Sequence, residues 1–180
     1  MTKDYITGIL RRDKVYVRKE EASDLISRGY GTLGRKYLIL EDVEALYLVF
    51  NGKLRVFEDS REISFDQLVE RFSKHNSYIL PQFLVYRDLR SKGYVVRLGY
   101  GETIDFLVYD KGDYPEKPAK FRVIGVDEGI PIRIEKLIDI LNFTLINKKE
   151  LKIAVIERRG EVVYYTLESF TKEDLRHEKD

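Results

Sequence analysis

The chain has 180 residues, of which 43% are hydrophobic and 35% charged, and its formal net charge is +1. A chain of this size can bury a core in one domain or in two small ones, and its small net charge predicts that any affinity for RNA comes from a local patch. The sequence contains no cysteine, which excludes disulfides, thiolate metal sites and cysteine nucleophiles.

The first half is predicted to be a small α+β domain over residues 1–73. Helices are predicted where apolar residues recur at helical spacing, and strands where they alternate. A glycine ends the first helix, and a serine caps the last. In chain order the segments are a strand at Val15–Val17, helices at Glu20–Arg28 and Glu44–Phe50, a strand at Leu54–Phe57 and a helix after Ser64.

The second half, over residues 78–170, is predicted to be a mixed central β-sheet flanked by helices. Runs rich in β-branched and aromatic residues indicate strands, and helical spacing indicates the helices. The segments are a helix from Ile79 to Leu89, strands at Tyr94–Val96, Ile104–Tyr109, Phe121–Val126 and Leu151–Ile156, a helix between Ile134 and Leu141, and a final strand at Val162–Tyr165. Residues 171–180 form a charged tail.

Two short patterns favour no site. Gly29–Gly34 matches the string G-x-G-x-x-G, but it follows a predicted helix, whereas the dinucleotide motif follows a strand and opens a helix. The two histidines, His75 and His177, have no further ligand at metal spacing and are predicted to lie at the surface. Neither a cofactor nor a metal is expected from these residues.

One alternative is a metal-dependent nuclease. Asp105, together with Glu150 and Lys152, matches the order Asp…Glu-x-Lys, in which carboxylates hold Mg²⁺ and the lysine stabilises the phosphate. Tyr109 and Lys149 form a second candidate pair, because one ends a predicted strand and the other precedes one. Strand ends often carry site residues, since the loops there can hold a substrate.

The second half resembles the core of the archaeal tRNA-intron (tRNA-splicing) endonuclease family. The resemblance runs in family order over about 80 residues. The first half resembles the family more loosely, through Leu25–Gly31 and Glu44–Leu48. The segments that carry it in the second half are Phe83–Gly99, Asp105–Tyr109, Phe121–Asp127, Lys149–Val155 and Val162–Tyr165.

The resemblance implies a metal-independent reaction on precursor tRNA. Members of the family cut at a bulge-helix-bulge and leave a 2′,3′-cyclic phosphate and a 5′-hydroxyl. A tyrosine deprotonates the attacking 2′-hydroxyl, a histidine protonates the leaving oxygen and a lysine stabilises the transition state. The tyrosine falls on Tyr109 and the lysine on Lys149, but the histidine position is occupied by Pro118, which cannot donate a proton.

Two further positions depart from the family pattern. Thr103 and Ile104 replace a glycine-alanine pair, and a polar stretch before the lysine has become the apolar segment Leu141–Ile146, which predicts packing in place of a substrate surface. The resemblance therefore implies a structural subunit that supports a separate catalytic subunit in a hetero-oligomer. The alternatives are an active subunit in which Lys117 or Lys120 acts as the acid, the metal nuclease, and an unrelated binding module.

The final hairpin is predicted to be an interface. In the resembling family the last strand builds a dimer and an acidic turn before it docks on a neighbour. Here the strand contains Tyr164 and Tyr165, and the turn keeps Glu157 and Glu161 but adds two arginines. Because apolar edge strands invite pairing, self-association or binding to the catalytic subunit is expected.

The sequence also predicts where the protein works. It has no run of roughly 18 uncharged apolar residues of the kind that crosses a membrane. Its first four residues lack the apolar core of a signal peptide. A cytoplasmic protein without membrane contact is expected, and its high charge, single methionine and lack of cysteine are typical of heat-adapted proteins.

Overall fold

The computed structural model describes residues 5–101, 104–127 and 131–169. Within these ranges the chain forms a six-stranded sheet, a five-stranded sheet and five α-helices, which confirms the predicted fold class. No helix in this part of the chain is long and apolar enough to cross a bilayer. Thr103, His177 and the predicted tail lie outside the described residues.

The first sheet has the strand order β3-β4-β2-β1-β5-β6. Its strands are β1 (Ile6–Arg11), β2 (Lys14–Arg18), β3 (Thr32–Leu33), β4 (Tyr37–Leu40), β5 (Leu54–Glu58) and β6 (Arg61–Ile63). Strands β1 and β5 run parallel, and the other neighbours are antiparallel. Arg12 and Asp13 both have positive φ in the β1–β2 turn, as a two-residue hairpin of matching twist requires.

The helices of the first half are α1 (Ser23–Ser27), α2 (Asp42–Phe50) and α3 (Phe65–Ser73). The predicted single helix Glu20–Arg28 is wrong, because the backbone at Ala22, with φ −99° and ψ 2°, separates a 3-10 turn from α1. The predicted cap Ser64 is confirmed. Its hydroxyl accepts from the Gln67 amide at 3.3 Å, and the Gln67 side chain accepts from the Ser64 amide at 3.0 Å, a reciprocal capping box.

The second sheet has the order β11-β10-β9-β8-β7. Its strands are β7 (Val95–Leu98), β8 (Asp105–Tyr109), β9 (Phe121–Asp127), β10 (Glu150–Ile156) and β11 (Val162–Leu167). Only β9 and β10 are parallel among these pairs, and α5 (Ile134–Ile146) connects them, as a parallel connection requires. The second sheet is therefore mixed, as predicted.

One apolar core extends through both halves of the chain. Helix α4 (Ile79–Ser91) packs on α2 and α3 and also on strands β7, β9, β10 and β11. Its buried Tyr86 contacts Tyr47 of α2 and Phe106 of β8, with ring centroids 5.6 and 5.8 Å apart. Helix α5 covers the opposite face of the second sheet, where Leu141 packs with Ile124 and Leu151 in a small separate cluster. The chain segments around β8, β9 and β10 are thus held from both faces.

Candidate functional site

The strand register brings the two family positions to one edge of the second sheet. Val108 of β8 pairs with Phe121 of β9, and Phe121 pairs with Glu150 of β10. Tyr109 ends β8 and Lys149 immediately precedes β10, so both lie at this edge on strands separated only by β9. Two strand spacings amount to about 10 Å, a separation that a tyrosine and a lysine side chain can bridge.

Tyr109 is half-buried beneath a neighbouring aromatic ring. The ring of Tyr114 meets it edge-on, with centroids 5.1 Å apart. Burial raises the pKa of Tyr109, and the nearby Tyr114 and Tyr100 raise it further, while Arg97 opposes the shift. A tyrosine acts as a base only as its phenolate, so this environment disfavours the state that would deprotonate a 2′-hydroxyl.

Pro118 lies exposed in the loop from Asp110 to Lys120, which returns to the same edge. The backbone amide of Lys120 donates to the Val108 carbonyl at 2.8 Å, and Ala119 is buried. The chain is therefore anchored directly after Pro118. No proton donor is available from a proline ring.

The lysines around this edge are held in different ways. Lys149 donates to the Asn147 carbonyl at 3.3 Å, and no carboxylate among the described residues lies within ion-pair distance of it. Lys117 and Lys120 instead pair with Asp113 and Asp110, each at 2.8 Å. These hydrogen-bonded carboxylates raise the pKa of both lysines. A lysine with a raised pKa is a poorer proton donor near neutral pH.

The loop that contains Tyr114 packs on the first half of the chain. The sequence patterns did not predict this contact. A Cβ atom on Gly29 would lie 2.9 Å from the Tyr114 ring and 2.6 Å from Val95. The close packing of Tyr114 at this position therefore requires glycine. The Arg97 guanidinium lies 5.6 Å from the centre of the Tyr114 ring. Arg97 also donates to the Gly29 carbonyl at 3.0 Å and to buried Glu44 at 2.9 Å. Arg97 and Tyr114 therefore join the site edge to the N-terminal half.

In the predicted metal-nuclease motif, Asp105 lies apart from Glu150 and Lys152. Asp105 pairs with Ile124 of β9, three residues along that strand from Phe121, which pairs with Glu150. Asp105 is buried and accepts from Arg122 at 2.9 and 2.5 Å. Lys152 donates to the Thr166 hydroxyl at 3.1 Å and forms an ion pair with Glu150 at 3.4 Å. This geometry does not favour the metal-nuclease alternative, because the Asp105 carboxylate is bonded to Arg122 and lies three residues in register from Glu150.

The other two short patterns have structural roles. Gly29 and Gly31 have φ of 73° and 65° in the turn between α1 and β3, and the Gly31 amide donates to Glu44 at 2.9 Å. This turn leads into strand β3 and opens no helix, so it lacks the context that a dinucleotide motif requires. His75 is exposed, as predicted, and its Nε2 lies 2.8 Å from the Asp42 carboxylate.

The two tyrosines of the final hairpin face opposite sides of the sheet. Strand β11 is an edge strand of the sheet. Tyr165 is 57% exposed, whereas the Tyr164 hydroxyl donates to Asp88 of α4 at 2.7 Å. Glu157 and Glu161 are both exposed in the turn. Tyr165 and the two glutamates are free to meet a neighbour, while Tyr164 is held inside the chain.

The apolar segment Leu141–Ile146 forms the last two turns of α5. Leu141 is buried, but Phe143, Leu145 and Ile146 are exposed. The predicted packing of this segment is therefore only partly satisfied within the chain.

Both halves of the chain match models of a known family. Residues 6–69 match the "tRNA intron endonuclease, N-terminal domain", and residues 79–164 match the "tRNA intron endonuclease, catalytic C-terminal domain". The chain belongs to the tRNA intron endonuclease family. It is 34% identical over 150 residues to a tRNA-splicing endonuclease of Methanococcus vannielii, covering 83% of this chain and 85% of the relative.

A second tRNA-splicing endonuclease, from Pyrococcus furiosus, is 32% identical over 168 residues. The aligned region covers 92% of this chain and 97% of that relative. A third, from Methanococcoides burtonii, is 29% identical over 156 residues, which make up 86% of this chain but 44% of the longer relative.

Proposed function

We propose that this chain is a structural, RNA-positioning subunit of a tRNA-splicing endonuclease. The enzyme excises introns from precursor tRNA at bulge-helix-bulge sites, and a separate catalytic subunit performs the cleavage. The observation that carries the proposal is Pro118, an exposed proline beside the edge that holds Tyr109 and Lys149. Loss of a general acid costs about 10² to 10⁴ in rate.

The state of Tyr109 supports the same proposal. The tyrosine retains its place on β8, but burial raises its pKa, and Tyr114 covers one side of its ring. A base with a raised pKa is present as phenolate in only a small fraction of molecules at neutral pH. Tyr109 and Lys149 are interpreted as vestigial residues at a site that has lost its acid.

The competing function is an active endonuclease subunit that gives 2′,3′-cyclic phosphate and 5′-hydroxyl ends. The match to the family's catalytic domain favours it, as does Lys149, which has no ion-pair partner among the described residues. It requires a replacement acid, and Lys120 is closest in sequence to the edge. The ion pairs of Lys117 and Lys120 raise their pKa values, which weakens both candidates.

The partner surface in this proposal is the final hairpin. Strand β11 leaves its outer edge unpaired within the described sheet. The exposed backbone N–H and C=O groups of an edge strand can pair with a strand of another chain. Tyr165 adds an exposed aromatic ring on one face of the strand. We propose that the hairpin joins this chain to itself or to its catalytic partner.

A cleavage assay tests the function directly. A labelled bulge-helix-bulge RNA is incubated in EDTA with this chain alone, with a histidine-containing catalytic subunit of the family alone, and with both. We expect no cutting by this chain alone and cutting by the assembled pair. Metal-free cutting by the isolated chain would overturn the structural role.

The Pro118→His variant of the isolated chain is the matched control. It restores the acid but leaves Ile104 and the apolar end of α5 unchanged, so we expect it to remain inactive. Recovered cleavage would assign the loss of activity to Pro118 alone.

A further inference from the structure

Two exposed aromatic rings form a corner on the second sheet's α5 side. Tyr100 follows β7 and is 69% exposed, and Phe143 of α5 is 49% exposed. Their ring centroids lie 5.9 Å apart with an interplanar angle of 77°. We call this pair the aromatic corner. A flat group that stacks on one ring therefore meets the edge or face of the other.

The backbone of Tyr100 is fixed by a buried carboxylate. Asp105 accepts from the amide of Tyr100 at 3.1 Å and from that of Gly101 at 2.6 Å. A Cβ atom on Gly99 would lie 2.2 Å from the same carboxylate, so the turn packs tightly on Asp105. An exposed ring on a fixed backbone loses little conformational entropy when it binds.

A buried guanidinium supports the two rings. Arg122 is bonded twice to Asp105, and its Cζ lies 5.9 Å from the Tyr100 centroid and 5.6 Å from the Phe143 centroid. Burying an ion pair costs desolvation energy. Here the pair sits directly behind the corner and holds both its backbone and its rings in position.

The corner adjoins the candidate cleavage edge. Arg122, which lies beside both rings, pairs with Leu107, two residues before Tyr109 on β8. The Phe143 carbonyl accepts from the Asn147 amide at 3.3 Å, and the Asn147 carbonyl accepts from the Lys149 side chain at 3.3 Å. The exposed aliphatic residues Ile134, Ile138 and Leu145 recur along a different flank of α5, because a two-residue step from Phe143 to Leu145 rotates by about 200°. The corner is therefore separate from the aliphatic flank of the helix.

We propose that the aromatic corner of Tyr100 and Phe143 stacks an unpaired base of the RNA next to the vestigial site. RNA is recognised mostly where bases leave the helix and stack on aromatic side chains. A bulge supplies such a base, whereas a paired stem does not. This inference rests on the proposed function and identifies the part of the RNA that the subunit positions.

Fluorescence titration tests it with two RNAs. One is a bulge-helix-bulge RNA in which 2-aminopurine replaces one bulge base at a time, and the other is a fully paired duplex of similar length. The wild-type chain is expected to bind the bulged RNA more tightly and to quench one bulge position. Tyr100→Ala and Phe143→Ala should weaken that binding by roughly 5- to 100-fold and abolish the quenching, with duplex binding unchanged.

Three controls accompany these variants. Tyr100→Phe keeps the ring and should bind like wild type, and Tyr78→Ala removes an exposed aromatic elsewhere and should have no effect. Sedimentation of each variant reports assembly. Wild-type binding of both variants, equal losses on the duplex, or lost assembly with intact RNA affinity would each overturn the proposal. If the wild-type chain fails to bind bulged RNA, the RNA-positioning part of the proposed function fails as well.

Discussion

Arg97 of β7 and Glu44 of α2 form an ion pair across the two halves of the chain, with 2.9 Å between Nη1 and Oε1. The Arg97 side chain is 17% exposed and that of Glu44 is 2% exposed. Glu44 also accepts from the amides of Gly31 and Glu41, each at 2.9 Å. The pair therefore fixes the glycine turn on which the Tyr114 loop is seated.

Replacing Arg97 with alanine is expected to lower the free energy of unfolding by about 3 kcal/mol at pH 8, because the buried Glu44 carboxylate loses its counter-charge. Urea unfolding followed by circular dichroism measures the change. The matched control is Arg28→Ala, since Arg28 pairs with Asp24 on the surface and exposed pairs contribute about 1 kcal/mol or less. Equal losses in both variants would contradict the special role of the buried pair.

The pH dependence of stability is expected to carry a contribution from Glu44. Burial raises the pKa of Glu44 from its ordinary 4.5 to about 7, although Arg97 and two backbone amides oppose the shift. Between these pH values the folded state binds a proton that the unfolded state has released. The stabilisation is complete below pH 4.5 and is lost as the pH rises through about 7.

The measurement is the difference in unfolding free energy between wild type and Glu44→Gln from about pH 5 to pH 8. Glutamine cannot titrate, so the wild-type value should fall relative to the variant as the pH rises and then level off. The exposed Glu116→Gln serves as the control. Parallel curves for wild type and Glu44→Gln would show that Glu44 keeps one charge state throughout.

The sequence predicts local elements here better than it predicts the contacts between them. Ser64 caps α3 as its spacing from Gln67 indicates, because capping depends on neighbours within one turn. The pairing of Asp105 with Arg122, 17 residues away, depends on the register of β8 and β9, which no local pattern reveals. The same register separates Asp105 from Glu150 and argues against the metal-nuclease alternative.

Of the candidate site, only the residues at the strand ends could be predicted from the sequence. Tyr109 and Lys149 are predicted from family order, and the sheet then brings them to one edge. Tyr114 and Arg97 could not be predicted, because their roles depend on how the two halves pack. The helix α5 extends through Leu141–Ile146, where apolar and polar residues alternate over the first four positions and so do not follow a helical period.

If this chain is the proposed structural subunit, removing Tyr109 and Lys149 should leave the assembled enzyme's turnover within about twofold, because a site without an acid has no complete transition state to stabilise. The variants are Tyr109→Phe and Lys149→Ala, measured by single-turnover cleavage with the catalytic subunit. The matching changes in the catalytic subunit should stop cleavage. A loss of about 10²-fold from either variant of this chain, with assembly intact, would show that it contributes catalysis.

The two tyrosines of β11 are expected to differ in their effects. Tyr165→Asp places a charge on an exposed strand face and should dissociate the assembly without unfolding the chain. Tyr164→Phe removes the hydrogen bond to Asp88 and should cost about 1 kcal/mol of stability with assembly unchanged. Light scattering and thermal unfolding separate the two results. Unchanged assembly for Tyr165→Asp would show that this face of β11 is exposed to solvent and forms no interface.

The turn before β11 tests whether charge contributes to docking. Glu157 and Glu161 are exposed, but Arg158 and Arg159 give the turn a net charge of zero. If the acids face a basic surface on a neighbour, Glu157→Lys with Glu161→Lys should weaken association several-fold at low salt. The effect should shrink as salt rises, because the screening length falls from about 10 Å at 0.1 M to about 3 Å at 1 M.

The control for the hairpin turn is Glu20→Lys with Glu21→Lys, which changes the net charge equally on an exposed turn of the first half. Analytical ultracentrifugation at both salt concentrations measures the association constants. Equal weakening in both double variants would assign the effect to overall charge. An association that neither pair alters would leave the backbone edge and Tyr165 as the groups that join the subunits.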